Sequence, residues 1–332
     1  MRVVTVATGP ATLSNMRMIL NTRALLAVGA AVMLLTTSCS SDGADDTATG
    51  VNVVATTTML GDIARTIVGG DGSVDVLLSV GASPHDFRPS SAQVTAIYEA
   101  DLVLANGLGL EEGLSDVLQA ARADGVNVIE VAELLDPLAF EAREPCPTRG
   151  EDESRDHACD PHVWLDPDRN ATTAELVAEA LAHVDSSVAW EDRAATYADD
   201  LAEADATIVD LLDGIASEDR LLVTNHDSLG YFSDRYGFMV VGTVIPGGSM
   251  LSEPSSEDLA NLVALINETG VSAIFAETSE PRALAEAIAD EVDHDVEVVS
   301  LYTGSLGEEG SGAESLIGML LANAERVASG LS

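Results

Sequence analysis

From Val51 onward, short β-branched runs alternate with amphipathic stretches. Strand-like segments lie at 51–56, 74–80, 102–105 and 126–131, with helix-like segments between them at 59–68, 91–99 and 111–123. The pattern breaks at 136–160 into Pro, Gly and acidic residues, which predicts an exposed loop. Order resumes at His162, and Pro167 at a helix start opens a helix to about 184. A second helical stretch, 188–215, meets no Gly or Pro before Gly214. It would span roughly 40 Å, enough to cross a lobe or join two. Alternation then restarts, with strands at 221–224, 239–244, 273–276 and 296–300 and helices at 255–268, 281–291 and 314–329. The repetition predicts an α/β fold: two βα lobes with parallel sheets flanked by helices, bridged by a single long helix. The N-terminal βα lobe is expected at 51–184, carrying the acidic loop 136–160. The linking helix is expected at 185–219 and the C-terminal βα lobe at 220–332.

Ahead of the lobes, Arg17 and Arg23 precede an uncharged stretch at 24–35, followed by Thr36, Thr37, Ser38 and Cys39. A basic region, an apolar run too short to span a bilayer and small residues at a cut site form a secretory signal. Cys39 suggests the lipoprotein version, which makes 1–39 a signal segment and the polar 40–50 a tether. Thr36 stands where a lipobox carries Leu, so a plain signal peptide or an uncleaved anchor is the alternative. Residues 1–15 show no structural pattern, and Met16 and Met18 are alternative starts. No other segment reaches the roughly 18 uncharged apolar residues of a membrane helix, so the mature chain is expected to be soluble apart from its anchor. Export also bears on the cysteines. With Cys39 lipidated, Cys146 and Cys159 are left as a pair, expected to form a disulfide across the acidic loop rather than a metal site.

Composition narrows the function classes. Of the 332 residues, 46% are hydrophobic and only 4% aromatic, which suits packing by Ala, Val, Leu and Ile in two α/β lobes. The net charge of −41, with all fifteen basic residues Arg, excludes nucleic acid as a partner. Most of that acidity reads as a solvated surface.

Three of the six histidines share a context. His85 follows Ser83-Pro84 beyond the second strand, His162 sits in Asp160-Pro161-His162 between the acidic loop and a helix, and His226 directly follows the 221–224 strand. In parallel α/β sheets, ligands bind beyond the carboxyl ends of strands, and adjacent carboxylates orient imidazole ligands. Taken singly each His could be structural; together they form a candidate metal-ligating set. His157, His183 and His294 are expected on exposed loop or helix surfaces.

The segments Gly81-Ala82-Ser83-Pro84-His85-Asp86-Phe87, Asp160-Pro161-His162-Val163-Trp164-Leu165-Asp166-Pro167 and Asn225-His226-Asp227-Ser228-Leu229-Gly230-Tyr231-Phe232 occur in this order. Leu301-Tyr302-Thr303 and Gly310-Ser311-Gly312-Ala313 follow. In these blocks the chain resembles, over about 51–331, the zinc- and manganese-binding solute-binding proteins of bacterial ABC importers. The resemblance implies a metal held between two βα lobes, with hinge closure limited by the long helix. It implies His85, His162 and His226 as three ligands. The fourth position, where many relatives carry a carboxylate, falls on Gly304, so the set is either three imidazoles plus water or is completed by Glu308 or Glu309. Three neutral imidazoles suit Zn²⁺, whereas Mn²⁺ prefers carboxylate oxygens, so Zn²⁺ is the expected transported ligand and Mn²⁺ the alternative. Glu151, Asp152, Glu153, Asp156, His157 and Asp160 crowd before His162, where zinc-type relatives carry a metal-collecting loop; with one loop His, a solvated charge run is the plainer reading.

The implied protein is extracytoplasmic, lipid-anchored to the cell membrane and monomeric. It captures metal for the membrane permease of an ABC importer and does no catalysis. A zinc-dependent hydrolase with Asp227 or Glu277 as general base is the rival in another class, but HExxH, a nucleophile elbow and a Walker loop are all absent. A siderophore- or cobalamin-binding protein would want an aromatic or Arg-lined cleft, and an adhesin or structural lipoprotein would want no ligand set. Protonation of the imidazoles is expected to weaken metal binding below about pH 6 to 6.5.

Overall fold

The computed structural model describes residues 50–140, 145–146, 159–245 and 254–332. Cys39, nearly all of the tether, and the loop residues Glu151, Asp152, Glu153, Asp156 and His157 lie outside them.

Two four-stranded parallel sheets form the two lobes. The first comprises β1 (Val51–Ala55), β2 (Gly72–Val76), β3 (Leu102–Ala105) and β4 (Val128–Glu130), in the order β2-β1-β3-β4. The second comprises β5 (Leu221–Thr224), β6 (Met239–Thr243), β7 (Ala273–Glu277) and β8 (Glu297–Leu301), in the order β6-β5-β7-β8. Central strands read as unbroken apolar runs because helices cover both faces. β3, Leu-Val-Leu-Ala, and β7, Ala-Ile-Phe-Ala-Glu, are buried throughout. The edge strand β2 alternates half-buried and exposed positions. It also lies earlier than the hydrophobicity of 74–80 predicts, because Gly72 pairs with Val51 and the ladder is spent by Leu78, whose N–H donates to Thr56 O at 3.1 Å.

In chain order the helices are α1 (Thr58–Val68), α2 (Ser91–Glu99), α3 (Ser115–Ala123), α4 (Pro167–Val184), α5 (Trp190–Leu212), α6 (Gly230–Tyr236), α7 (Ser256–Thr269), α8 (Ala283–Glu291) and α9 (Leu316–Gly330). Their starts follow local chemistry. Asp166 caps α4 through the Asp168 N–H with Pro167 in the first turn, and Ser90 and Ser255 form capping boxes with Gln93 and Asp258. The linking helix is shorter than the predicted 185–219, since Asp185 is extended and ends α4 before α5 begins at Trp190. The short helix α6, absent from the predicted elements, follows His226.

α5 packs on α4, α1 and α9 and is tied to a different lobe at each end. Near its start, Arg193 donates to the carbonyls of Ile67 and Val68 and pairs with Asp71. Farther along, both oxygens of Asp205 accept from Arg235 at 2.6 Å, and Tyr236 Oη donates to Asp205 at 2.8 Å. Trp190, with no exposed surface, anchors the first turn and donates to Asp185 O at 2.7 Å. The largest core cluster runs from β1 and α1 through α4 and α5 to Tyr231, Phe275 and α9, so the lobes share one continuous interior. Among the described residues no helix is long and apolar enough to cross a membrane.

Candidate metal centre

Each sheet changes winding direction between its two central strands, β1 and β3 in one, β5 and β7 in the other, which is where open α/β sheets form their ligand crevices. In the C-terminal lobe this point is flanked by His226, two residues past β5, and by Glu277, the last residue of β7. In the N-terminal lobe it is flanked by Thr56 and Asn106. The buried Glu111 joins these two, accepting from Thr56 Oγ1 and from the Asn106 N–H at 2.8 Å. Asn106 Nδ2 in turn donates to Pro161 O at 2.9 Å, holding the peptide before His162. Burial pushes the Glu111 carboxyl above its ordinary range against these hydrogen bonds.

His85, His162 and His226 converge, with one ligating nitrogen from each lying within 4.8 Å of the others. His85 comes from the irregular segment after β2, well past the strand's end at Val76, and is half-buried. His162 precedes a 3₁₀ turn (Val163–Leu165) and, like His226, is 1% exposed. Their Nε2 atoms are 3.1 Å apart. Two nitrogens of a tetrahedral zinc site stand about 3.3 Å apart, given Zn–N bonds near 2.0–2.1 Å, so this pair already has the spacing of two ligands of one ion.

Buried carboxylates stand behind both rings. Asp160 Oδ1 accepts from the backbone N of His162 at 3.0 Å and lies 2.7 Å from its Nδ1. The carboxylate thus engages Nδ1 and leaves Nε2 as the nitrogen turned toward His226 Nε2. Glu277 Oε1 lies 3.3 Å from His226 Nδ1, within ion-pair reach but out of line for a hydrogen bond, and accepts from Thr303 Oγ1. Burial, then the neighbouring imidazoles His162 and His226, pushes His85 down to about 2. Burial also lowers His226, with Glu277 opposing. Both rings are therefore neutral at pH 7, the form that ligates.

The position after Thr303 is Gly304. A Cβ there would meet Ser279 Oγ at 3.0 Å, Pro84 Cδ at 3.4 Å and Glu277 Oε2 at 3.9 Å, so this residue borders both the His85 segment and the carboxylate behind His226. Glu308 and Glu309 are exposed and lie outside the three-histidine group. His183 and His294 are exposed as expected. Glu277 carries no motif marking it as a partner of His226; its usable signal is its place at the carboxyl end of a parallel strand. Cys146 and Cys159 form a disulfide with Cα atoms 5.8 Å apart.

Residues 53–330 match the family described as ZnuA, zinc-uptake complex component A, periplasmic. The manganese-binding lipoprotein MntA of Halalkalibacterium halodurans is 29% identical over 308 residues, 91% of this chain and 97% of that protein. The zinc-binding protein TroA of Treponema pallidum is 31% identical over 288 residues, 84% of this chain and 88% of that protein. The solved structure of periplasmic zinc binding protein TroA from Treponema pallidum superposes with a TM-score of 0.75 at 30% identity, covering 85% of this chain and 99% of that one. With the family match spanning both lobes and all three converging histidines, the chain belongs to the zinc-uptake complex component A family.

Proposed function

We propose that this chain is the substrate-binding protein of a metal ABC importer, that its cargo is Zn²⁺, and that His85, His162 and His226 bind it. The observation that carries the reading is the convergence of three imidazoles from both lobes, two of them backed by buried carboxylates. Desolvating a dication in a buried crevice is costly unless ligands and nearby polar groups replace its water, and the Asp160 and Glu277 carboxyls stand behind His162 and His226 in that role. The relatives named above are described as binding manganese or zinc. Zinc is favoured here because the inner donors are all imidazole and Gly304 offers no side-chain oxygen. With Glu308 and Glu309 exposed, the fourth position falls to water. The work is capture rather than catalysis: the ion sheds water, bridges the lobes, and the loaded chain docks on the permease.

Lipidation at Cys39, an extracytoplasmic location and a monomeric state belong to the same proposal, supported by the signal-like segment before Cys39 and by relatives described as lipoproteins.

Calorimetric titration of the metal-free mature domain tests the reading. One Zn²⁺ per chain is expected, bound more tightly than micromolar and more tightly than Mn²⁺, with His226→Ala weakening it by at least about a hundredfold, the loss of a ligand exceeding the 10–100-fold cost of an outer-shell change. Zinc affinity unchanged in the His85→Ala, His226→Ala double variant would sink it.

A further inference from the structure

The segment that delivers His162 is held at its base by several converging restraints. Leu138 and Ala139 face Pro145 and Cys159 in two isolated antiparallel bridges. The Cys146 N–H donates to Pro137 O and the Asp160 N–H to Leu138 O, each at 2.7 Å. Single bridges of this kind do not persist in water unaided. Two stronger ties reinforce them. One is the Cys146–Cys159 disulfide, whose second cysteine directly precedes Asp160. The other comes from the opposite lobe: Tyr231 of α6, with no exposed surface, donates its hydroxyl to Asp160 O at 2.7 Å and accepts from the Leu138 N–H at 3.0 Å. The Arg169 guanidinium carbon lies 4.7 Å from the centroid of the Tyr231 ring, over its face. All of this ends on Asp160, whose Oδ1 engages both the backbone N and Nδ1 of His162.

We propose that the Cys146–Cys159 disulfide and Tyr231 form one brace that positions Asp160, and through it His162, so that the oxidised chain holds metal more tightly than the reduced chain. The inference rests on the reading of His162 as a metal ligand. Its redox step needs a dithiol. One thiolate of the reagent attacks Sγ of Cys146, the half-buried partner; the S–S bond breaks, and Cys159 leaves as a thiolate that takes up a proton. The reagent's second thiolate attacks the mixed disulfide, freeing Cys146 and closing the reagent into a cyclic disulfide. Two electrons and two protons pass to the bridge. Because Cys159 has no exposed surface, its thiolate is a poor leaving group, and the bridge resists weak monothiols.

The test compares Zn²⁺ affinity, by competition with a chromophoric chelator, for oxidised wild type and for wild type reduced with excess dithiothreitol and desalted without air. Cys146→Ser with Cys159→Ser excludes new thiolate ligands as the cause, and Tyr231→Phe removes only the hydroxyl. Each change is expected to weaken zinc by about 10–100-fold, the range for outer-shell partners of a ligating His. Combining Tyr231→Phe with reduction should cost less than the product of the two, since both act through Asp160. The visible bands of Co²⁺-loaded protein should shift in each variant, which a merely stabilising bridge would not cause. Equal zinc affinity in both redox states, or in Tyr231→Phe and wild type, overturns the proposal. Should reduction unfold the chain, Tyr231→Phe alone decides. No zinc binding by the oxidised wild type removes the functional reading itself, whereas equal affinities remove only the brace.

Discussion

On the proposed reading, Gly304 is the position that withholds a side-chain donor from the centre. A Cβ there meets the Ser279 hydroxyl at 3.0 Å, Pro84 Cδ at 3.4 Å and Glu277 Oε2 at 3.9 Å, so a side chain at this position requires the Ser279 hydroxyl to turn aside. Gly304→Asp would add a hard oxygen donor beside three imidazoles. It is expected to narrow the preference for Zn²⁺ over Mn²⁺ by about tenfold or more, read from paired titrations of the two ions; an unchanged ratio would show that Gly304 does not tune selectivity. The three histidines were legible in sequence because each lies with Pro or Asp neighbours where a strand or loop delivers a ligand. Glu277 stands out in sequence only as a general base of the rival hydrolase; its place beside His226 was not legible, because it depends on β7 lying beside β5, a pairing that local periodicity does not encode. Glu308 and Glu309 are close to Gly304 in sequence, yet the chain turns outward there, with Gly310 and Gly312 at positive φ, and both acids face water.

Among the elements, α5 is tied by side-chain hydrogen bonds to both lobes. Its Asp205 accepts two hydrogen bonds from Arg235 and one from Tyr236, both of α6, while Arg235 also pairs with Asp166 and Asp168 at the start of α4. The Arg235 hydrogen bonds, against opposing burial, hold the Asp205 carboxyl below its ordinary 3.8. A depressed carboxylate stabilises the fold above its unfolded value, and that contribution is lost as pH falls through the lower folded value. Asp205→Asn is therefore expected to cost about 1 kcal/mol at neutral pH, a figure limited by solvent screening of a partly exposed pair. The gap should close below pH 3.8, measured as denaturation midpoints of both proteins across pH. A gap that persists in acid would assign the effect to packing instead. The alternation of strands and helices was legible because both faces of each sheet are covered; the exact ends of β2 and α5 and the existence of α6 were not. Those depend on cross-strand register, an extended Asp185 and a turn too short to show a helical period.

For the whole molecule, the topology decides where the site lies. Two sheets with the same winding order bring their crevices to one cleft, and the two lobes share one continuous apolar interior that includes residues of α4 and α5. The net charge of −41 favours cation approach over anion approach to the molecule as a whole, an effect that falls off with salt. The most direct measurement is a crystal structure of the zinc-loaded mature domain with anomalous data collected at the zinc edge. One peak is expected between the cleft-facing nitrogens of His85, His162 and His226, about 2.0–2.1 Å from each, with water completing the shell and no peak in the acidic loop. A dominant peak among the acids of 136–160, with the three imidazoles unliganded, would contradict the account.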